Sequence, residues 1–144
     1  MKLTEHEARR LLATSPVARM ATVTEVGRPH IVPVTFAVDG NYIYTAVDAK
    51  PKNETAGRGL QRIRNIEAEP RVALLADHYA DDWTALWWAR ADGRASIVTE
   101  PDLAARPLSL LTARYPQYRD VALPGPVIAI RVERWSGWAA APPP

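Results

Sequence analysis

The chain has 144 residues, 24% of them charged and 47% hydrophobic, with a formal net charge of +2. That length implies one domain, able to bury about two-thirds of the surface its unfolded form exposes. The absence of cysteine excludes disulfides, thiolate zinc sites, iron–sulfur clusters and thiol nucleophiles, and no apolar run approaches membrane-spanning length.

Thr4-Glu5-His6-Glu7 reads as a capping box, opening a helix to about Ala13 that buries Ala8, Leu11 and Leu12 and closes at Ser15-Pro16. Its charges (Glu5, His6, Glu7, Arg9, Arg10) do not suit the apolar centre of a signal peptide, so a cytoplasmic location is expected. Period-two patterning then predicts a strand over Val17 to Thr24, a turn at Glu25-Val26-Gly27 and a second strand over Pro29 to Val38. His30, Val32, Val34, Phe36 and Val38 share one face of that strand, and Ile31, Thr35 and Ala37 the other. Asp39-Gly40 is a hairpin signal, and Tyr42 to Val47 returns as a third antiparallel strand. Pro33 cannot donate to a ladder, which marks an edge, a bulge or a place where a ligand replaces the neighbouring strand.

Gly59 to Ala68 is expected to be helical, with Leu60, Ile63 and Ile66 as its apolar stripe and Arg58, Arg62 and Asn65 roughly opposite. Arg71 to His78 forms a fourth strand, and Thr84 to Val98 forms one long strand or two around Asp92-Gly93. Thr99-Glu100-Pro101-Asp102 starts a helix that Pro107 is expected to kink or divide. Val127 to Trp135 is the final strand, with Ile128, Ile130 and Val132 facing the core. Residues 1–138 therefore form the domain, and residues 139–144 a Pro-rich tail expected to be disordered.

Between Lys50 and Arg71 lie six basic residues against three acidic ones. Lys50 and Lys52 at a strand end, with Arg58 and Arg62 at the start of the next helix, make a compact anion site. Ammonium and guanidinium groups can satisfy several phosphate oxygens at once, and the helix dipole adds to them. A solvated charged turn and helix is the other reading of these residues. Trp83, Trp87 and Trp88 form a second cluster. On a strand, Trp83 and Trp87 share a face and Trp88 takes the other, so at least one large aromatic is left for a subunit interface or a planar ligand. A Trp-rich core is the alternative.

His6, His30 and His78 have no spacing that makes a metal set, and His78 beside Asp77 reads as a surface pair more readily than as an oriented general acid. No Gly-x-Ser-x-Gly, Walker A or GxGxxG motif is present, so no side chain is assigned as catalytic. The low net charge and the acidic patch Asp77, Asp81 and Asp82 speak against a nucleic-acid partner.

The run Gly27-Arg28-Pro29-His30-Ile31-Val32-Pro33-Val34-Thr35-Phe36, with Asp39-Gly40, Tyr42-Ile43-Tyr44-Thr45, Lys50-Pro51-Lys52, Arg64-Asn65-Ile66 and Glu69-Pro70-Arg71-Val72, resembles the pyridoxamine 5′-phosphate oxidase-like superfamily. Asp77-His78-Tyr79, Asp82-Trp83, Leu86-Trp87-Trp88 and Tyr115-Pro116-Gln117-Tyr118 are similar to its short members thought to use the deazaflavin coenzyme F420. The resemblance spans roughly Leu12 to Trp135. It implies a mainly β, six-stranded split barrel of the FMN-binding-protein type with short flanking helices, and a homodimer with cofactor sites between subunits.

The resemblance places the cofactor ring along Val32, Pro33, Val34 and Thr35, and the phosphate at Lys50, Lys52, Arg58 and Arg62. Trp83, Trp87 and Trp88 are substrate-side candidates from the partner subunit. The long connection Asn53 to Gly59 leaves open which of Arg58 and Arg62 meets phosphate. The implied activity is hydride transfer between a deazaflavin and a small organic substrate. The alternatives are an FMN-dependent enzyme of the same fold and a non-catalytic flavin- or haem-binding module.

Overall fold

The computed structural model describes residues 1–47, 61–120 and 126–143. Helix α1 (Glu5–Thr14) begins as its first four residues dictate: Thr4 Oγ1 accepts from the Glu7 N–H at 3.1 Å, and Glu7 Oε1 accepts from the Thr4 N–H at 2.8 Å. It buries Ala8, Leu11 and Leu12. Strands β1 (Ala18–Val23) and β2 (Pro29–Val34) form a hairpin through Gly27, whose φ of 83° lies in the left-handed region.

The expected single strand from Pro29 to Val38 is divided. Thr35 and Phe36 leave the ladder, and β3 (Ala37–Asp39) pairs with β4 (Tyr42–Ala46) across the turn at Gly40. The sheet therefore has seven strands, in the order β2-β1-β5-β6-β7-β4-β3, where six were expected. This division closes the molecule. Strands β2 and β3 lie at opposite edges, about 29 Å apart in a flat sheet at 4.8 Å per strand. From Val34 to Ala37 the chain reaches no more than about 11 Å. The sheet must curl until its edges meet, which makes a barrel joined at that seam by chain rather than by a hydrogen-bonded ladder.

Helix α2 (Gln61–Ala68) buries Ile63 and Ile66 as expected, but also Asn65, which the sequence reading put on the polar side. Asn65 is fully enclosed because its amide donates to Thr22 Oγ1 on β1 at 2.9 Å and accepts from Gln61 Nε2 at 2.7 Å. Strand β5 (Arg71–His78) has the expected bounds. Strand β6 (Trp87–Val98) is one strand with a register shift at Asp92/Gly93. A Cβ on Gly93 would meet the Arg131 carbonyl at 2.4 Å, so only glycine lets the strands approach there.

Helix α3 (Pro101–Arg114) runs through Pro107 as one element, not as two short helices. The bond that Pro107 cannot donate belongs to the Leu103 carbonyl, and Leu103 lies on the exposed side, where water can replace it. Strand β7 (Val127–Ala139) runs four residues past the expected end and pairs with β6 along its whole length.

Met20, Phe36, Ile43, Leu74, Ile128 and Ile130 fill the barrel, with Leu12 of α1 closing one end. Each such side chain contributes about 1.5–3 kcal/mol by leaving water. The outer face of β2-β1-β5 presents Pro33, Ile31, Arg19, Ala21, Leu75 and Ala73, in register across the three strands. None of these six is buried.

Candidate cofactor site

Strand β2 has β1 on one side and, among the described residues, no strand on the other. Backbone groups along that edge are available to a ligand in the way a neighbouring strand would use them. Val34 is buried in the core, Val32 packs against the core, and Pro33 faces outward opposite Arg19. Thr35 is engaged internally: its hydroxyl lies 2.6 Å from that of Tyr118, and its carbonyl accepts from Thr45 Oγ1 at 2.8 Å. The four predicted ring contacts are thus contiguous, but Val34 and Thr35 can meet a ligand with backbone far more readily than with side chain.

The seam beside them is held by residues that sequence reasoning gave no structural role. Tyr115 accepts from the Phe36 N–H at 3.1 Å, and its hydroxyl proton is shared between the carbonyls of Pro16 (2.9 Å) and Phe36 (3.0 Å). Arg114 donates to the Phe36 carbonyl at 2.9 Å, donates to the Ser15 carbonyl, and lies over the Phe36 ring. Helix α3 and the short 3-10 turn after it (Pro116–Arg119) therefore pin the point where the chain crosses between sheet edges. A basic residue followed by an aromatic at a helix end was the visible signal; its partners, about 80 and 100 residues earlier in the chain, were not.

Of the predicted phosphate ligands, Arg62 lies part-buried on α2, one turn before Asn65. Lys50, Lys52 and Arg58 lie outside the described residues. The Asn65–Thr22 bond ties α2 to β1, and Thr22 pairs with His30 at the start of β2. His30 Nδ1 is enclosed and finds no hydrogen-bond partner among the described residues. An orphaned polar atom beside an open strand edge suits a ligand.

The tryptophans do not share one strand. Trp83 sits in a 3-10 turn (Trp83–Ala85) because Asp82 Oδ1 accepts from both the Thr84 N–H (3.0 Å) and the Thr84 hydroxyl (2.6 Å). The same two bonds, with a smaller contribution from His78, hold the Asp82 carboxyl below its ordinary pKa. The spacing Asp82-x-Thr84 is a turn signal, and it outweighs strand propensity here. Trp83 is 76% exposed. Trp87 lies on the inner face of β6 and packs against the core, while Trp88 is on the outer face with the Arg90 guanidinium 5.5 Å from its ring centre. Asp77 and His78, being consecutive on β5, point to opposite faces, and Asp77 pairs with Arg19 at 3.8 Å. Two strands separate β6 from β2, so within one chain Trp87 and Trp88 stand about 14 Å along the sheet from the β2 edge.

Residues 4–139 of the chain match the pyridoxamine 5′-phosphate oxidase family. The chain belongs to that family. Among solved structures, family-like folds recur at low identity. A FAD-binding protein from Mesorhizobium loti is similar with a TM-score of 0.72 and 21% identity, covering 95% of each chain. A conserved hypothetical protein from Mycobacterium tuberculosis has a TM-score of 0.74 and 23% identity, covering 96% of this chain and 86% of its own. The haem storage protein HutZ from Vibrio cholerae has a TM-score of 0.69 and 18% identity, covering 94% and 93%. A comparison with curated proteins finds no match. Among the described residues no group of three His, Asp or Glu side chains could hold a metal ion, and no helix is long and apolar enough to cross a membrane.

Proposed function

We propose that this chain is a homodimeric oxidoreductase that holds a deazaflavin along the open edge of β2 and passes hydride to or from a small organic substrate. The observation that carries the reading is the edge itself: contiguous backbone from Val32 to Thr35 with, among the described residues, no strand on the side away from β1, and the orphaned His30 nitrogen at its start. Membership of the family supports a phosphate-bearing cofactor, and the FAD-binding relative supports a flavin-type ring.

When bound, a reduced deazaflavin supplies the hydride, which goes to an electron-poor carbon of the substrate while solvent supplies the proton. The chain's own contribution is binding and exclusion of water. Backbone groups from Val32 to Thr35 meet the polar edge of the ring, and Arg62 with Lys50, Lys52 and Arg58 meets phosphate. Trp83 in its turn and Trp88 on the outer face of β6 cover the ring of the partner's site, whereas Trp87 is turned to the barrel interior. FMN is the second reading: the relative's FAD presents the same kind of phosphate and ring, and the same basic residues serve it. The haem storage relative supports a third, binding without turnover.

Paired titrations with deazaflavin and FMN, at low salt and near 1 M, separate these readings. Tighter deazaflavin binding is expected, with a margin that shrinks as salt rises, because its acidic tail reaches exposed basic residues worth about 0.2–1 kcal/mol each. Lys52→Ala and Arg62→Ala should each weaken binding about tenfold or more, since a charge-assisted contact contributes about 1.5–3 kcal/mol. Tighter FMN binding at both salts assigns the site to FMN. Tight cofactor binding with no turnover of any artificial acceptor favours the storage reading.

A further inference from the structure

We propose that a recess at the His78 end of the barrel is a binding site for a flat ring compound carrying one hydrogen-bond acceptor, separate from the edge of β2. Its floor is a continuation of the barrel interior. His78, Trp87 and Ala139 are aligned across β5, β6 and β7 on the inner side, with Ala139 in the edge of the core and Trp87 packed against it. Thr84, Ala85 and Leu86 form one wall, and Ala141, Pro142 and Pro143 the other, around about 400 Å3. A volume of that size holds a small organic molecule.

The walls are built rather than incidental. The Ala140 N–H donates to the Leu86 carbonyl at 2.9 Å, which ties the two walls together at their base. The Thr84 turn is locked by Asp82, and two consecutive prolines have fixed φ and no N–H to hydrate. The lining is apolar except for His78 and Thr84. Thr84 already gives its hydroxyl proton to Asp82, so the His78 imidazole is the group left to orient a ligand.

The Trp87 indole packs against the core, is part-exposed and lines the recess, so a flat ligand there would meet an aromatic surface. Close by in the chain, Trp83 and Tyr79 are 76% and 60% exposed. Each is next in sequence to a lining residue, Tyr79 to His78 and Trp83 to Thr84, and exposed aromatics of this size mark binding surfaces. Within one chain, β1 lies between β2 and the strand that carries His78, and the recess sits at the ends of β5, β6 and β7 rather than along β2.

The probe is naphthalene-2-carboxylate, titrated into the cofactor-free protein and followed by backbone amide shifts. Saturable one-to-one binding is expected, with shifts concentrated at residues 78, 84–87 and 139–141, and with cyclohexanecarboxylate, which is not flat, binding at least tenfold more weakly. His78→Ala should weaken binding about tenfold, and His78→Gln, which keeps a donor, should restore most of it. A chain shortened after Ala140 should lose binding while keeping its unfolding midpoint, because residues 141–143 pair with no strand. Shifts that do not saturate, or that centre elsewhere, overturn the proposal. So does equal affinity in the parent, His78→Ala and the shortened chain.

Discussion

Asn65 shows how a single side chain can join two parts of a fold. From the sequence it reads as one of the polar residues opposite Ile63 and Ile66, yet it is completely enclosed and donates to Thr22, 43 residues away. A helical wheel cannot reveal this, because what satisfies the amide belongs to another element. The bond fixes the position of the helix that carries Arg62. Asn65→Ala is expected to lower stability by about 1–3 kcal/mol, because Thr22 Oγ1 is left buried without its donor. Urea unfolding midpoints measure the loss. Adding Thr22→Val to Asn65→Ala should cost less than Thr22→Val costs alone, since both changes remove the same bond.

At the scale of elements, local signals and long-range clamps divide the work. The capping box of α1, the Asp39-Gly40 turn and the bounds of β5 follow from neighbouring residues, and the structure has all three. The break between β2 and β3 does not, because nothing within Val34 to Ala37 forbids a continuous strand. Arg114 and Tyr115 supply the polar partners that Phe36 forgoes on leaving the ladder, and Thr45 Oγ1 donates to the Thr35 carbonyl. Tyr115→Phe should leave the Phe36 N–H without its partner and cost about 1–3 kcal/mol. Hydrogen exchange at the Phe36 amide should accelerate more than exchange in β5. Unchanged protection there would remove the clamp from the account of the seam.

For the whole molecule, the outer face of β2-β1-β5 bears on assembly. Ile31 is 65% exposed and continues through Ala21 to Ala73 as an apolar row across the three strands, while the neighbouring row runs from exposed Pro33 through Arg19, paired with Asp77, to Leu75. The tryptophan that cannot enter the barrel, Trp88, also lies on the outer face, paired with Trp138. A second copy covering this strip would bring its own tryptophans toward β2, and a stable pairing buries more than about 2,000 Å2 in total. Light scattering is therefore expected to give twice the mass of one chain. Ile31→Asp should shift it toward one chain with little loss of fold, because that side chain is already in solvent. A parent protein that scatters as one chain at micromolar concentration contradicts the dimer.

The sequence by itself determined what depends on near neighbours: the helix start at Thr4, the period-two strands and the glycine turns, and with them the family. Those features rest on backbone geometry and side-chain spacing within a few residues, where a few capping or turn contacts decide the conformation. Tertiary structure decided the rest. It divided the second strand, closed the barrel at Thr35 and Phe36, buried Asn65, separated Trp83 from Trp87, and folded residues 140–143 over His78. Apart from Trp83, whose turn Asp82-x-Thr84 encodes locally, each of these depends on a partner many residues distant. A buried polar group takes whichever partner the packed chain brings to it, and sequence spacing carries no record of that choice.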